Sequence, residues 1–464
     1  MKPVRLLPFL AWLSACAMGP DYHRPAIDTP GAFRGGQADD AAVQTNASLG
    51  DEKWWALFQD PVLQQLIRTA LKQNYDLRIA ATRVEQAQAQ LSITRASEFP
   101  AVYAGAQAFT ERNAQIAPII PSYQARAAEV DLSVIWNLDF WGKYRRETEA
   151  ARANLLATEW GRRAVLTSLV AGVATDYFEL RELDLALQVA RDALASRQNS
   201  LRLTQVLVSN GSASRLDLRQ AEELLYTAAE TVPDLERQVA QEENALSVLI
   251  GQNPGDIPRG QPLTEQPDPP VVPAGLPSEL LARRPDILEA EQALVAANAD
   301  VGVAKAAYFP SISLTATGGF ESYQFNNLFT PASRIWDLSG SLTQPVFEAG
   351  SLRAGMHLAE AQKQQMLLAY QQTIMTAFQQ VSDSLIAYQK NREYREQQEK
   401  LTAAAQDTDQ LSNLLYRQGG ASYLQVLTSE TNYLSAQLSL AQAQLNERLA
   451  LVQIYSALGG GWQQ

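Results

Sequence analysis

Residues 142–210, GKYRRETEAARANLLATEWGRRAVLTSLVAGVATDYFELRELDLALQVARDALASRQNSLRLTQVLVSN, decide the architecture. No proline occurs between Ser122 and Val232, and Leu166, Val170, Val173, Tyr177 and Leu180 step by four and three, the period of a helix face. Good helix formers fill much of the remainder. Read as one helix, the stretch runs for about 100 Å at about 1.5 Å per residue. That exceeds an ordinary globular helix and predicts a coiled coil or a helical tube. Asn210-Gly211-Ser212 closes the run, and a returning helix is expected to about Ile250.

The layout returns about 208 residues later. Gly350 opens a second run, Gly419-Gly420 closes it, and on the return to about Leu458 the residues Leu434, Leu438, Ala441 and Leu445 keep helical spacing. The chain is a tandem repeat, so one architecture must explain both halves. Each half begins with a shorter helix. The first is expected from about Pro61 to Ser97 and stops at Phe99-Pro100; the second covers roughly 278–307 and stops at Tyr308-Phe309-Pro310, since proline disfavours helix before it and lacks a donor.

Strand candidates separate the short and long helices: 101–112 and 126–140 around a loop with Pro118 and Pro121, then 311–321 and 335–346. Val130, Leu132, Val134, Trp136 and Leu138 alternate with Asp131, Ser133, Asn137 and Asp139, and only Ile135 breaks the polar face. Ile312, Leu314, Ala316 and Phe320 likewise oppose Ser311, Ser313, Thr315, Thr317 and Glu321, and Trp336, Leu338 and Leu342 oppose Asp337, Ser339, Ser341 and Thr343. This pattern suits a soluble sheet, and equally a membrane barrel with lipid outside and water inside. Four strands cannot close a barrel, because the smallest have about eight. Open edges cannot face lipid, and thin apolar stripes on long helices bury only against neighbours. Both features demand more than one copy.

Composition narrows the function. The 464 residues carry a net charge of −12, which argues against nucleic acid as a partner. One cysteine and two histidines, His23 and His357, leave almost nothing for metal or redox chemistry. No 18-residue apolar run marks a transmembrane helix. There is no phosphate-binding glycine loop with lysine and no acid–base or nucleophile constellation. Acidic pairs such as Glu222-Glu223 and Glu242-Glu243 read as solvated helix faces.

At the start, Lys2 and Arg5 precede the mostly apolar Leu6 to Leu13, and Leu13-Ser14-Ala15-Cys16 resembles a bacterial lipoprotein signal. That resemblance implies a covalent lipid on Cys16, the only cofactor-like group expected, and Ala17 after it favours export to the outer membrane. The expected divisions are 1–15 signal peptide, 16–61 anchor segment, 62–250 first repeat, 251–277 proline-rich linker, 278–458 second repeat and 459–464 tail.

The Cys16 start, Gly-Pro-Asp-Tyr-His-Arg-Pro at 19–25, the duplicated helix–strand–strand–helix plan, Arg284-Pro285-Asp286 and Ala-Lys-Ala-Ala-Tyr-Phe-Pro at 304–310 together carry a resemblance. Over nearly the whole mature chain they resemble the TolC-type outer-membrane factors, in the branch of OprM- and NodT-type efflux lipoproteins. The resemblance implies a mixed, mainly α fold. Three chains would give four strands each to a transmembrane β-barrel that continues into a long periplasmic α-helical barrel, with a girdle drawn from 17–61, 251–277 and the C-terminal tail. It implies a homotrimeric, passive exit duct in outer-membrane lipid, not an enzyme. The duct would dock with a periplasmic adaptor and an inner-membrane pump of the resistance-nodulation-division type to expel drugs or toxic compounds. An adaptor itself would have one hairpin and soluble β domains, whereas this chain has two hairpins and two strand pairs.

The resemblance also assigns sites. Asp131, Asn137, Asp139, Thr315, Thr317, Glu321 and Asp337 would line the barrel lumen. Gly211, Ser212, Gly419 and Gly420 would form the tips that meet the adaptor, and Tyr416 and Asp217 would link neighbouring hairpins in a periplasmic gate. Gln425 and Thr428 stand where relatives often carry an acidic ring, and Ala421 replaces an arginine used in a second link.

Overall fold

The computed structural model describes residues 17–35, 48–113, 123–266 and 277–462. Cys16 with its signal, Pro118 and Pro121, and linker residues Pro267, Pro269, Pro270 and Pro273 lie outside the described residues.

The elements run α1 (Trp54–Leu57), α2 (Pro61–Gln73), α3 (Tyr75–Ala96), β1 (Ala101–Asn113), β2 (Tyr123–Leu138), α4 (Lys143–Ser209) and α5 (Arg215–Leu249). The second series is α6 (Pro277–Arg283), α7 (Pro285–Ala306), β3 (Ser311–Ser322), β4 (Arg334–Thr343), α8 (Ser351–Arg417) and α9 (Tyr423–Ala457). The repeat is quantitative: α3 and α7 have 22 residues each, α4 and α8 have 67, and α5 and α9 have 35.

Two helices differ from the sequence reading. The helix expected over Pro61–Ser97 is broken at Asn74, whose backbone is extended (ψ 133°). Its side-chain Oδ1 accepts from the Leu77 N–H at 2.9 Å, so Asn74 caps a new helix. The helix expected over 278–307 is likewise two helices, because Pro285 starts α7 as a first-turn residue.

The chain forms two compact units, one of residues 1–26, 83–159 and 289–371, the other of 27–82, 160–288 and 372–464. The first holds all four strands, joined in an antiparallel meander β1-β2-β3-β4. The outer edges of β1 and β4 have no strand partner within the described chain. Ala150 and Ala153 of α4 pack with Ala296 and Ala299 of α7 in a buried cluster there. In the second unit, Trp54 and Phe58 are buried while Trp55 beside them stays exposed, and Phe58 meets Phe178 and Tyr455 edge-on at 6.3 and 6.1 Å.

Candidate functional site

Strand register sorts the sheet into two chemically opposed faces. Rows across the ladder join Gln107–Glu129–Glu321, Gly105–Asp131–Gly319, Tyr103–Ser133–Thr317–Asp337, Ile135–Thr315–Ser339 and Asn137–Ser313–Ser341. Directly opposed residues point to the same side of a sheet. Six expected lumen residues, Asp131, Asn137, Thr315, Thr317, Glu321 and Asp337, therefore share one face. The other face carries Val102, Leu132, Val134, Trp136, Leu314, Phe320, Trp336, Leu338 and Leu342. Trp336 is 83% exposed and Leu338 71%, so this chain alone does not cover its apolar face. Gly105 makes room for the Asp131 carboxylate, which lies where a β-carbon on that glycine would be.

Asp139 does something else. It follows the last residue of β2, and its carboxylate accepts the N–H groups of Tyr144 (3.2 Å) and Arg145 (2.9 Å) at the start of α4. An acid there meets the positive end of the helix dipole. Next to this junction the described chain begins. The Met18 N–H donates to the Trp141 carbonyl at 2.9 Å, and buried Arg146 donates to the Met18 carbonyl (3.2 Å) and pairs with Asp21 (2.9 Å). The Asn298 amide donates to the Pro20 carbonyl at 2.9 Å. Residues 17–24 are thus strapped along α7 from the foot of the sheet.

The two hairpin tips are built alike. Gly211 (φ 74°) and Gly419 (φ 76°) take the left-handed conformation that ends a helix. The Ser212 N–H donates to the Leu207 carbonyl and the Gly420 N–H to the Leu415 carbonyl, both at 2.8 Å. Ser214 then caps α5 in a full capping box with Asp217, whose Oδ2 accepts the Ser214 N–H at 2.8 Å. Ser422 caps α9 by accepting the Gln425 N–H, without the return bond. Thr428 donates to the Leu424 carbonyl of its own helix at 2.9 Å. The Tyr416 ring leans on Tyr423 at 5.4 Å beside the buried cluster Ala221, Tyr423, Val426 and Leu427. Burial, and then the Asp217 charge, push the Tyr416 hydroxyl above its ordinary value, so the two are within electrostatic reach in one chain.

Two polar clusters escaped the sequence reading. Buried Asp60 accepts from the Tyr177 hydroxyl (2.7 Å), the Gln266 amide (2.8 Å) and the N–H groups of Val62 (2.8 Å) and Gln261 (3.0 Å). These bonds hold its carboxyl below the usual range despite burial, which opposes them. Aspartate just before a helix-starting proline was the available signal. Asp176, Glu179 and Glu242 form the second cluster, with carboxylate oxygens within 4.8 Å of one another. Burial and then the Glu179 charge push Asp176 up to about 6; burial and then Asp176 and Glu179 push Glu242 up to about 7. Glu242 is therefore not on a solvated face. Nor is Glu243, which pairs with Arg259 in a bridge that also reaches Asp184.

The model of the family described as outer membrane efflux protein matches residues 66–252 and 276–460. The cation efflux system protein CusC of Escherichia coli O6:H1 is 35% identical over 467 residues, covering 100% of both chains. The solvent efflux pump outer membrane protein SrpC of Pseudomonas putida is 37% identical over 462 residues, 98% of this chain and 97% of that one. Among solved structures, the Neisseria gonorrhoeae MtrE outer membrane channel in its open state matches with a TM-score of 0.87 and 32% identity, over 96% of this chain and 99% of that one.

Proposed function

The chain belongs to the outer membrane efflux protein family, and from that premise we propose that three copies close a twelve-stranded barrel that continues into a periplasmic helical tube. It is an outer-membrane efflux protein, and it acts as a passive exit conduit whose energy comes from an inner-membrane pump reached through a periplasmic adaptor. The observation that carries this reading is the split sheet: a polar face with Asp131, Glu321 and Asp337 backs an exposed apolar face, and among the described residues neither outer edge has a strand partner. Open edges are incompatible with lipid, so neighbouring copies complete the wall. The acids on the polar face favour cations weakly, and a wide water-filled path selects little else.

Cys16 carries lipid in this proposal. Ala17, the next residue, lies against Gly142 at the foot of the sheet, which suits an anchor at the periplasmic membrane edge. The tips at Gly211-Ser212 and Gly419-Gly420 receive the adaptor. Tyr416 of one hairpin bonds Asp217 of a neighbour to hold the entrance closed, and Gln425 and Thr428 line that entrance without an acidic ring. The conduit is tested by cysteine scanning along 130–138 in the full chain with a membrane-impermeant thiol reagent. Positions 131, 133 and 137 are expected to react, and 130, 132 and 134 to be protected. Arginine on the lipid side near mid-membrane costs about 2–4 kcal/mol and much less facing water, so the same alternation is expected in stability. A uniform profile rejects the barrel.

A further inference from the structure

Within the first unit a cleft of about 620 Å³ opens between α7, α8 and the N-terminal strap, lined by Pro20, Lys305, Tyr308, Phe309, Glu360 and Lys363, among others. Its position follows from the chain. Phe309 and Pro310 immediately precede β3. The Phe309 ring stacks on Trp141 at 4.8 Å, and the Trp141 indole N–H donates to the Pro310 carbonyl at 2.8 Å. Tyrosine and tryptophan gather at the membrane–water boundary because their rings are apolar and their tips polar. Lys305 is the second-last residue of α7, and only the short non-helical link 307–310 separates that helix from Ser311 at the foot of the sheet. A lysine stem reaches back toward the boundary along apolar surface. The headgroup layer is about 5–8 Å deep on each side of the hydrocarbon. On the barrel reading, a residue this near the foot of the sheet stands in the headgroup layer, at the depth of lipid phosphates.

Charge points the same way. Among the described residues neither Lys305 nor Lys363 forms a salt bridge, in a chain of net charge −12. Glu360, the acid that lines the cleft, lies 3.5 Å from His357. Two ammonium groups beside an exposed tyrosine, at the foot of an apolar sheet face, form a receptor for a tetrahedral anion attached to a hydrocarbon tail. We propose that this cleft binds the phosphate of a glycerophospholipid headgroup from the periplasmic leaflet, held by Lys305 and Lys363 with Tyr308 against the glycerol. Each basic group near a lipid surface contributes enough attraction for about fivefold in affinity, so the pair accounts for about thirtyfold.

The proposal rests on the barrel reading of the sheet, whose own test is the thiol pattern on β2 and is independent of these lysines. Full-length protein in detergent is titrated with dioleoyl phosphatidylglycerol or the corresponding phosphatidylcholine and followed by native mass spectrometry. The wild type is expected to retain phosphatidylglycerol, and Lys305→Gln with Lys363→Gln to lower its affinity about thirtyfold. Lys390→Gln, a lysine paired with Glu393 at 2.9 Å, is the control and is expected to change nothing. Equal retention by wild type and double variant overturns the proposal. So does displacement of all bound lipid by millimolar inorganic phosphate, which marks a free-phosphate site. Loss of the wild-type oligomer in the double variant overturns it too, because the cleft is then a contact between copies.

Discussion

Three helix pairs, α3 with α7, α4 with α8 and α5 with α9, match in length to the residue, yet the two repeats use different chemistry at matching places. Both returning helices end in the same glycine motif: the Gln252 N–H donates to the Ser247 carbonyl at 2.8 Å, and the Gly460 N–H to the Tyr455 carbonyl at 2.9 Å. Each also leaves a late carbonyl for an outside donor. In the first repeat the Asn74 amide serves Leu249; in the second the Arg284 guanidinium serves Ala457, both at 2.9 Å. Arg284 additionally pairs with Asp286 at 2.6 Å and donates to Gln380 at 2.8 Å. The acceptor is a late helix carbonyl in both repeats, while the donor is a neutral amide in one and a charged guanidinium in the other. The helix starts differ too: Asp60 precedes Pro61, but Leu276 precedes Pro277.

The largest effect expected from this asymmetry is at Asp60. Asp60→Ala leaves Tyr177 and Gln266 with buried donors unmatched and is expected to cost about 4 kcal/mol, at about 1–3 per stranded group. Urea unfolding followed by circular dichroism measures it; a cost below about 1 kcal/mol means water replaces the carboxylate. Next comes the matched pair. Arg284→Ala, which leaves the buried Ala457 carbonyl without its charged donor, is expected to cost about 2–3 kcal/mol, and Asn74→Ala, chiefly a lost cap, about 1. Equal losses would show that the two donors do equivalent work after all.

A third effect is confined to the first repeat. At the repeat offset the positions of Asp176, Glu179 and Glu242 are Ser384, Ala387 and Ala450. The carboxyls of Asp176 and Glu242 are raised on folding, so their favourable contribution is complete below about pH 4 and is lost as pH rises through about 6 and 7. Glu242→Gln is expected to raise Tm at pH 8, corresponding to about 1 kcal/mol after solvent screening, and to leave it unchanged at pH 4. A variant equally stabilised at both values would rule out this titration. The smallest effect on stability is at the tips: Asp217→Ala costs about 0.5–1 kcal/mol through the capping box, and Gln425→Ala less. Function separates the tips further. In planar bilayers Asp217→Ala with Tyr416→Phe is expected to raise single-channel conductance, and Gln425→Ala to leave it unchanged; an unaltered conductance in a correctly assembled double variant removes the gate.

Periodicity made the hairpins and the sheet legible. Leu166 to Leu180 and Val130 to Leu138 report their own faces, because burial along a regular element repeats with its geometry. Asn74 was not legible: the apolar spacing runs on past it, and the Leu249 carbonyl that its amide serves is far away in the sequence. Pro285 was a readable stop, since a proline suits the first turn of a new helix as well as the end of an old one. Glu242 looked solvated because its neighbours Asp176 and Glu179 come from another helix and are invisible along the sequence. Asp139 kept the parity of the strand but lies one residue beyond it, where a helix start claims its carboxylate.

The meander places the first and last strands at opposite rims of the sheet, and this has a genetic consequence. In a closed ring of three, each chain offers β4 to one neighbour and β1 to the other, so every seam needs one sound rim from each of two chains. A proline at Tyr103 would damage one rim without altering the helices. Co-produced in equal amount with the intact chain, it would leave only about one ring in eight free of a faulty subunit if copies mix at random. A lesion in a single strand is therefore expected to be dominant, whereas loss of the whole chain would be recessive.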